Sequence, residues 1–227
     1  MTVNAQYNLA RPGSLPVRIA EYQRRKIFAA FMELTEISEP DTLLDVGVTS
    51  DRSYHHSNYL EEWCPWKRRI TAVGIDDASF LEEIYPGVHF VRADGCRLPF
   101  ESGTFDFAHS SAVLEHVGSR EQQVQFLREL SRVARRGIFL ATPNRWFPIE
   151  FHTMLPLLHW LPPPLFRKAL VGLGKGYFAD ERNLNLLSRR DLGEVARTAG
   201  IRRFSIRSVS LFGLPTNILL FAQHAPG

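Results

Sequence analysis

Residues 90–117 of this 227-residue chain, FVRADGCRLPFESGTFDFAHSSAVLEHV, constrain its fold more than any other stretch. An apolar strand pattern ends on an acid, Asp94, and a turn. A second apolar strand opens at Phe105-Asp106, closes at Ser110-Ser111 and runs into Leu-Glu-His-Val. Two neighbouring strands whose C-terminal ends carry a carboxylate and small polar residues make one edge of a ligand crevice in an open α/β sheet.

The same alternation continues on both sides of this stretch. A helical pattern runs from Pro16 to Ile37. Residues 42–48, TLLDVGV, form a short apolar run suited to a strand buried on both faces. Residues 53–63 read as a helix that stops before Pro65, 69–75 as a second buried strand ending at Asp76-Asp77, and 78–84 as a short helix. The third and fourth strands fall at 89–93 and 105–109. The clearest amphipathic helix spans 120–135, with Val124, Leu127, Leu130 and Ala134 on one face and Gly137 closing it. A fifth strand at 138–141 ends in Thr142-Pro143-Asn144. A helix at 189–199 and strands at 201–209 and 217–224 complete the chain, the last strand being an antiparallel partner. The expected fold is α/β: a doubly wound, mostly parallel seven-stranded sheet with an antiparallel last strand and right-handed crossovers.

The length fits one domain over 1–227, with 1–15 as a loose arm around Pro12-Gly13-Ser14 and 145–186 as an apolar insertion. The insertion is rich in proline, leucine, tryptophan and phenylalanine and reads as a lid with short helical pieces. A formal charge of +3, spread over separate basic pairs and triples, lacks the contiguous stripe that nucleic acid requires, so no nucleic-acid partner is expected. Cys64 and Cys96 make neither a disulfide framework nor a metal knuckle. With no secretory signal and no apolar run of the roughly 20 residues a span needs, a cytoplasmic location is expected. Peripheral membrane contact through the lid stays open, and the oligomeric state is not legible.

On these residues, 43–143 resembles the class I S-adenosylmethionine-dependent methyltransferases, especially the small-molecule group in which a final LEHV or LHHL is common. The resemblance implies a Rossmann-like methyltransferase fold and S-adenosylmethionine as cofactor. It implies that Asp94 accepts a hydrogen bond from the adenine amino group and that the Gly95 N–H meets the adenine ring. It places Asp76, with Asp77 as the alternative, on the ribose hydroxyls, where a carboxylate offers two acceptors to a vicinal diol. Asp45 and Gly47 match the start of the family's glycine loop, and Ser110 and Ser111 face the methionine moiety. The chain departs from the family directly after Gly47. Val48-Thr49-Ser50-Asp51-Arg52-Ser53 stand where two more glycines, with their freedom to adopt positive φ, are usual. The loop is expected to take another course, with hydroxyls of Thr49, Ser50 or Ser53 replacing backbone contacts.

Glu115, His116, Asn144, Glu150 and His152 follow the fourth and fifth strands and therefore share the mouth of the crevice. Among them His116, His152 and Glu150 are the catalytic candidates, His116 as proton acceptor because imidazole titrates nearest neutrality. Glu150 and His152, two residues apart, read first as a plain surface pair, with an oriented base pair or a metal site as alternatives; two ligands at that spacing are weak evidence for metal, and none is expected. The bland alternatives are plain: acids at strand–helix junctions also cap helices, and an apolar insertion can simply pack on the sheet. The expected activity is methyl transfer to an oxygen, nitrogen or carbon of a small or lipid-like acceptor. A non-catalytic ligand- or partner-binding module with the same fold is the alternative. A nicotinamide-dependent reductase would need a phosphate-cradling glycine loop that the chain lacks.

Overall fold

The computed structural model describes residues 14–52 and 56–224. The arm expected at 1–15 therefore lies outside the described residues except for Ser14 and Leu15, and Leu15 already opens helix α1 (Leu15–Thr35). Seven strands form the sheet: β1 (Leu43–Val46), β2 (Ile70–Gly74), β3 (His89–Arg92), β4 (Phe105–Ser111), β5 (Ala134–Pro143), β6 (Phe204–Leu211) and β7 (Leu214–Gln223). Their spatial order is β3-β2-β1-β4-β5-β7-β6. All pairings from β3 to β5 are parallel, while β7 runs antiparallel to both its neighbours. The order reverses between β1 and β4, which puts the ligand crevice at the C-terminal ends of those strands.

Strand alternation sorts the core into two layers. Leu44 and Val46 of β1 and Ile138 and Leu140 of β5 face helices α4 (Arg120–Val133) and α7 (Arg189–Thr198). Leu43, Phe139 and Ala141 face α1, α2 (Tyr59–Trp63) and α3 (Phe80–Ile84). Asp45 and His109 are register partners across the β1–β4 pair, and Asp45 follows Leu43 by two residues. Both therefore point into the α1/α2 layer. At the start of α4, Ser119 Oγ accepts from the Gln122 N–H while Gln122 Oε1 accepts from the Ser119 N–H, a reciprocal cap.

Several boundaries differ from the sequence reading. The helix expected to 135 ends at Val133, and β5 begins at Ala134. Gly137 sits inside that strand, opposite Gln223, rather than closing the helix. The two arginines that disguise the strand are held by ion pairs: Arg135 clamps Asp106 at 2.7 and 2.9 Å, and Arg136 meets Asp41 at 2.5 Å. The helix expected at 53–63 is confined to Tyr59–Trp63, with Ser53, Tyr54 and His55 outside the described residues. The last two strands meet sooner than expected, through a tight turn at Phe212-Gly213 with positive φ at both positions. Pro215 concealed the start of β7, and it is tolerated because the ladder shifts register there.

Between β5 and α7 the chain leaves the sheet. It forms α5 (Pro163–Gly172), with its prolines in the first turn, and α6 (Gly176–Ala179). Phe166, Leu170, Leu184 and Leu186 give this segment a small core of its own. Ile149, Met154, Trp160, Leu165, Val171 and Leu173 remain exposed on it. Two strand-end contacts tie it down. The Arg145 N–H donates to the Leu187 carbonyl at 3.0 Å, and the Asn185 N–H to the Glu115 carbonyl at 2.7 Å. Among the described residues no helix is long and apolar enough to cross a membrane.

Candidate active site

The crevice begins at Gly47, one residue past β1. Its φ is +108°, and a Cβ there would lie 2.0 Å from Val113 Cγ2, so both the backbone path and the neighbour demand glycine. The residues that replace the family's later glycines are pinned instead of free. Asn58 accepts from the Thr49 N–H at 2.8 Å and donates to the Thr49 carbonyl at 3.0 Å, while the Thr49 hydroxyl accepts from the Asp51 N–H. Thr49 thus spends its oxygen on its own loop, and Ser53 lies outside the described residues.

Asp76 lies half-buried after β2. Asp77, the alternative, is exposed and caps the following turn by accepting from the Ser79 N–H at 3.0 Å. Asp94, after β3, is exposed, and its Oδ1 accepts from the Cys96 N–H at 2.8 Å, leaving the carboxylate's second oxygen outside that turn bond. A Cβ on Gly95 would strike the Phe126 ring at 2.4 Å, so this glycine is also required for packing against α4. The Ser110 hydroxyl is buried and donates to the Val46 carbonyl at 2.7 Å, tying β4 to β1 where the crevice opens. Ser111 is half-buried at the end of β4.

Beneath these groups lies a buried polar floor that the sequence reading missed. His109 Nδ1 is 2.6 Å from Asp45 Oδ1, and its Nε2 is 2.9 Å from the Tyr59 hydroxyl. Burial pulls His109 down to about 4, so the ring is neutral, with Nδ1–H donated to Asp45 and the Tyr59 hydroxyl donated to Nε2. Burial pushes Asp45 up to about 7. Glu61 is fully buried beside Asp45, and burial, then the Asp45 carboxyl, raises it well above the carboxylate range. Two carboxyls under the end of β1 fit a ligand that brings positive charge, as the sulfonium and ammonium of S-adenosylmethionine do. A histidine inside a strand and a glutamate on a short helix carry no sequence signal for this; only the Asp45–His109 register reveals it.

The acceptor-side candidates form a second cluster. Glu150 organises a tight turn: Oε1 accepts from the His152 N–H at 2.9 Å and from its Nδ1 at 2.6 Å, and Oε2 accepts from the Thr153 N–H at 2.6 Å. These bonds outweigh burial and hold Glu150 down to about 2, and the carboxylate raises His152 in turn. Glu150 is buried and His152 is half-buried against it, which corrects the expectation of a surface pair. His116 donates Nδ1–H to the Asn183 carbonyl at 2.7 Å, and its Nε2 is 2.9 Å from His152 Nε2. Burial, then the charge on His152, pulls His116 down to about 3. Both His116 nitrogens are engaged, so the ring does not stand open as a lone base. Asn144 serves structure, donating to the Pro215 carbonyl and accepting from the Trp146 N–H.

An open sheet of this order, with an acid in β1, acids following β2 and β3 and a glycine forced at the crevice, has the fold of the class I S-adenosylmethionine-dependent methyltransferases. Residues 44–142 match the model of the family described as a methyltransferase domain. Magnesium protoporphyrin IX methyltransferase from Synechocystis, solved with bound S-adenosylhomocysteine, has the same fold. Its TM-score is 0.55 at 14% identity, covering 92% of this chain and 86% of that one. A putative methyltransferase of Haloferax volcanii, solved in complex with the Trm112 activator, gives a TM-score of 0.57 at 14% identity over 92% and 93% of the two chains. The tRNA (carboxymethyluridine(34)-5-O)-methyltransferase of Saccharomyces cerevisiae is 38% identical over 72 residues, 30% of this chain. The chain spans 26% of that relative's length.

Proposed function

We propose that this chain transfers a methyl group from S-adenosylmethionine to an oxygen, nitrogen or carbon nucleophile of a small or lipid-like acceptor. The observation that carries the reading is the set of three acids, Asp45, Asp76 and Asp94, at the ends of three adjacent strands beside the β1/β4 reversal. When bound, the cofactor supplies a methyl group already activated on sulfur, so the protein's task is to hold, orient and exclude water. Asp76 holds the ribose and Asp94 with Gly95 the adenine. Asp45 and Gly47 line the methionine end, joined by the ends of β4 at Ser110 and Ser111. His116, His152 and Glu150 are the polar groups on the acceptor side.

The segment 145–186 acts as a lid on a single domain. Its exposed Trp160, Leu165, Val171 and Leu173 favour an acceptor with an apolar portion, or one presented at a membrane surface. The free thiols Cys64 and Cys96 are in keeping with a reducing compartment such as the cytoplasm. A nucleic-acid acceptor is the second reading, favoured by the stretch similar to the yeast tRNA enzyme.

Calorimetric titration with S-adenosylmethionine and S-adenosylhomocysteine tests the reading. Micromolar binding of both is expected. A folded protein that binds neither at millimolar ligand would instead be a non-catalytic module on this fold. Methyl transfer from labelled cofactor to tRNA, but not to lipid extract, would establish the second reading.

A further inference from the structure

Three side chains beneath the lid converge on one point with their outer atoms already fixed. His116 Nε2, His152 Nε2 and Glu115 Oε1 all lie within 4.8 Å of one another, with Nε2 to Nε2 at 2.9 Å and His116 Nε2 to Glu115 Oε1 at 3.9 Å. Each ligand is held from behind. The Asn183 carbonyl takes the His116 Nδ1–H, Glu150 Oε1 takes the His152 Nδ1–H, and the Thr142 hydroxyl donates to Glu115 Oε2 at 2.8 Å. Metal-ligating histidines are oriented in this way, by a carboxylate or carbonyl on the ring nitrogen that does not bind the ion.

Glu115 gives the independent observation. It is 0% exposed, and its Oε1 has no hydrogen-bond partner although it faces the two imidazoles. A buried carboxylate oxygen left unpaired is costly unless something positive meets it. We infer that Glu115, His116 and His152 form a binding site for one divalent transition cation of the zinc class. Two imidazole nitrogens and one carboxylate oxygen are a donor set that suits such an ion and leaves a coordination position open.

The present spacing needs little change. Ligand atoms around a tetrahedral ion at about 2.0–2.1 Å stand roughly 3.3 Å apart, so the Nε2 atoms separate by a few tenths of an ångström and Glu115 Oε1 closes in. Without an ion, the same geometry holds a proton between the rings: both Nδ1 atoms donate to fixed acceptors, and the Nε2 contact needs one hydrogen. The cation replaces that proton. Each histidine keeps 12% of its side chain exposed, so the site is reachable. The inference rests on the reading above only for its role: at the ends of β4 and β5, the open position is where an acceptor oxygen would be polarised.

The test is binding of Zn²⁺ and Co²⁺ to the chelator-treated full chain, followed by calorimetry, bound-metal analysis and the visible spectrum of the cobalt form. About one equivalent is expected. Affinity should fall by about 10- to 100-fold in Glu150→Gln, which touches no ligand atom but changes the acceptors behind His152 and the Thr153 N–H, and further in Glu115→Gln and His152→Gln. Circular dichroism and S-adenosylmethionine titration of each variant monitor folding. Wild-type protein that binds neither ion at micromolar concentration would overturn the inference. So would unchanged affinity in a folded His116→Gln/His152→Gln variant. Metal binding without cofactor binding would leave this site standing and remove the methyltransferase reading; the reverse pattern would do the opposite.

Discussion

At the scale of single residues, Asp94 offers the cleanest separation of structure from recognition. Its Oδ1 holds the Cys96 N–H, a bond that an asparagine oxygen reproduces. Asp94→Asn keeps the turn and replaces one acceptor by a donor, which opposes an adenine amino group. S-adenosylmethionine affinity should weaken by about 5- to 30-fold, the equivalent of about 1–2 kcal/mol for a hydrogen bond to a charged group. The melting temperature should not move; calorimetry beside thermal denaturation reads both. The acids of the crevice were legible because carboxylates at strand ends leave a trace in sequence. The buried floor was not. His109 looks like any strand residue and Glu61 like any residue of a helix surface until the β1–β4 register and the position of α2 bring them to Asp45.

At the scale of elements, the segment between β5 and α7 has packing separate from the sheet. Leu170 is fully buried in its small core with Phe166, Leu184 and Leu186. Leu170→Ala should cost the segment about 2–4 kcal/mol locally, as large-to-small core changes do. Hydrogen exchange should accelerate across 155–186 while the sheet amides stay protected, because local unfolding follows local packing. Uniform acceleration across the chain would show that the two cores melt as one. The strands β1, β2 and β4 were readable as apolar runs, being buried on both faces. The start of β5 was not, because Arg135 and Arg136 imitate a helix end. Their charge makes sense only once Asp106 and Asp41 stand opposite.

At the scale of the whole molecule, Asp106 is a clamp between distant parts of the chain. It accepts from the Thr42 N–H and hydroxyl at 2.8 and 2.9 Å and from Arg135 through both oxygens. Burial alone would raise its pKa, but these donors outweigh burial and lower it below its ordinary 3.8. A carboxyl lowered on folding stabilises the native state fully above that ordinary value and loses the contribution as pH falls through the lowered one. Urea unfolding between pH 3 and pH 7 should therefore show a steeper acid limb for the wild type than for Asp106→Asn. Parallel curves would assign the acid response to other carboxylates.

The position of β7 carries a further consequence. It is the last strand in sequence among the described residues, yet it lies between β5 and β6. While a ribosome is still delivering the chain, β5 is present with one edge unfilled, and its neighbour-to-be has not emerged. An apolar strand with open amides and carbonyls is a template for the wrong partner, another nascent copy included. The vulnerable interval runs from the delivery of β5 to the delivery of β7, and a chain interrupted before Leu214 would leave that edge permanently adhesive.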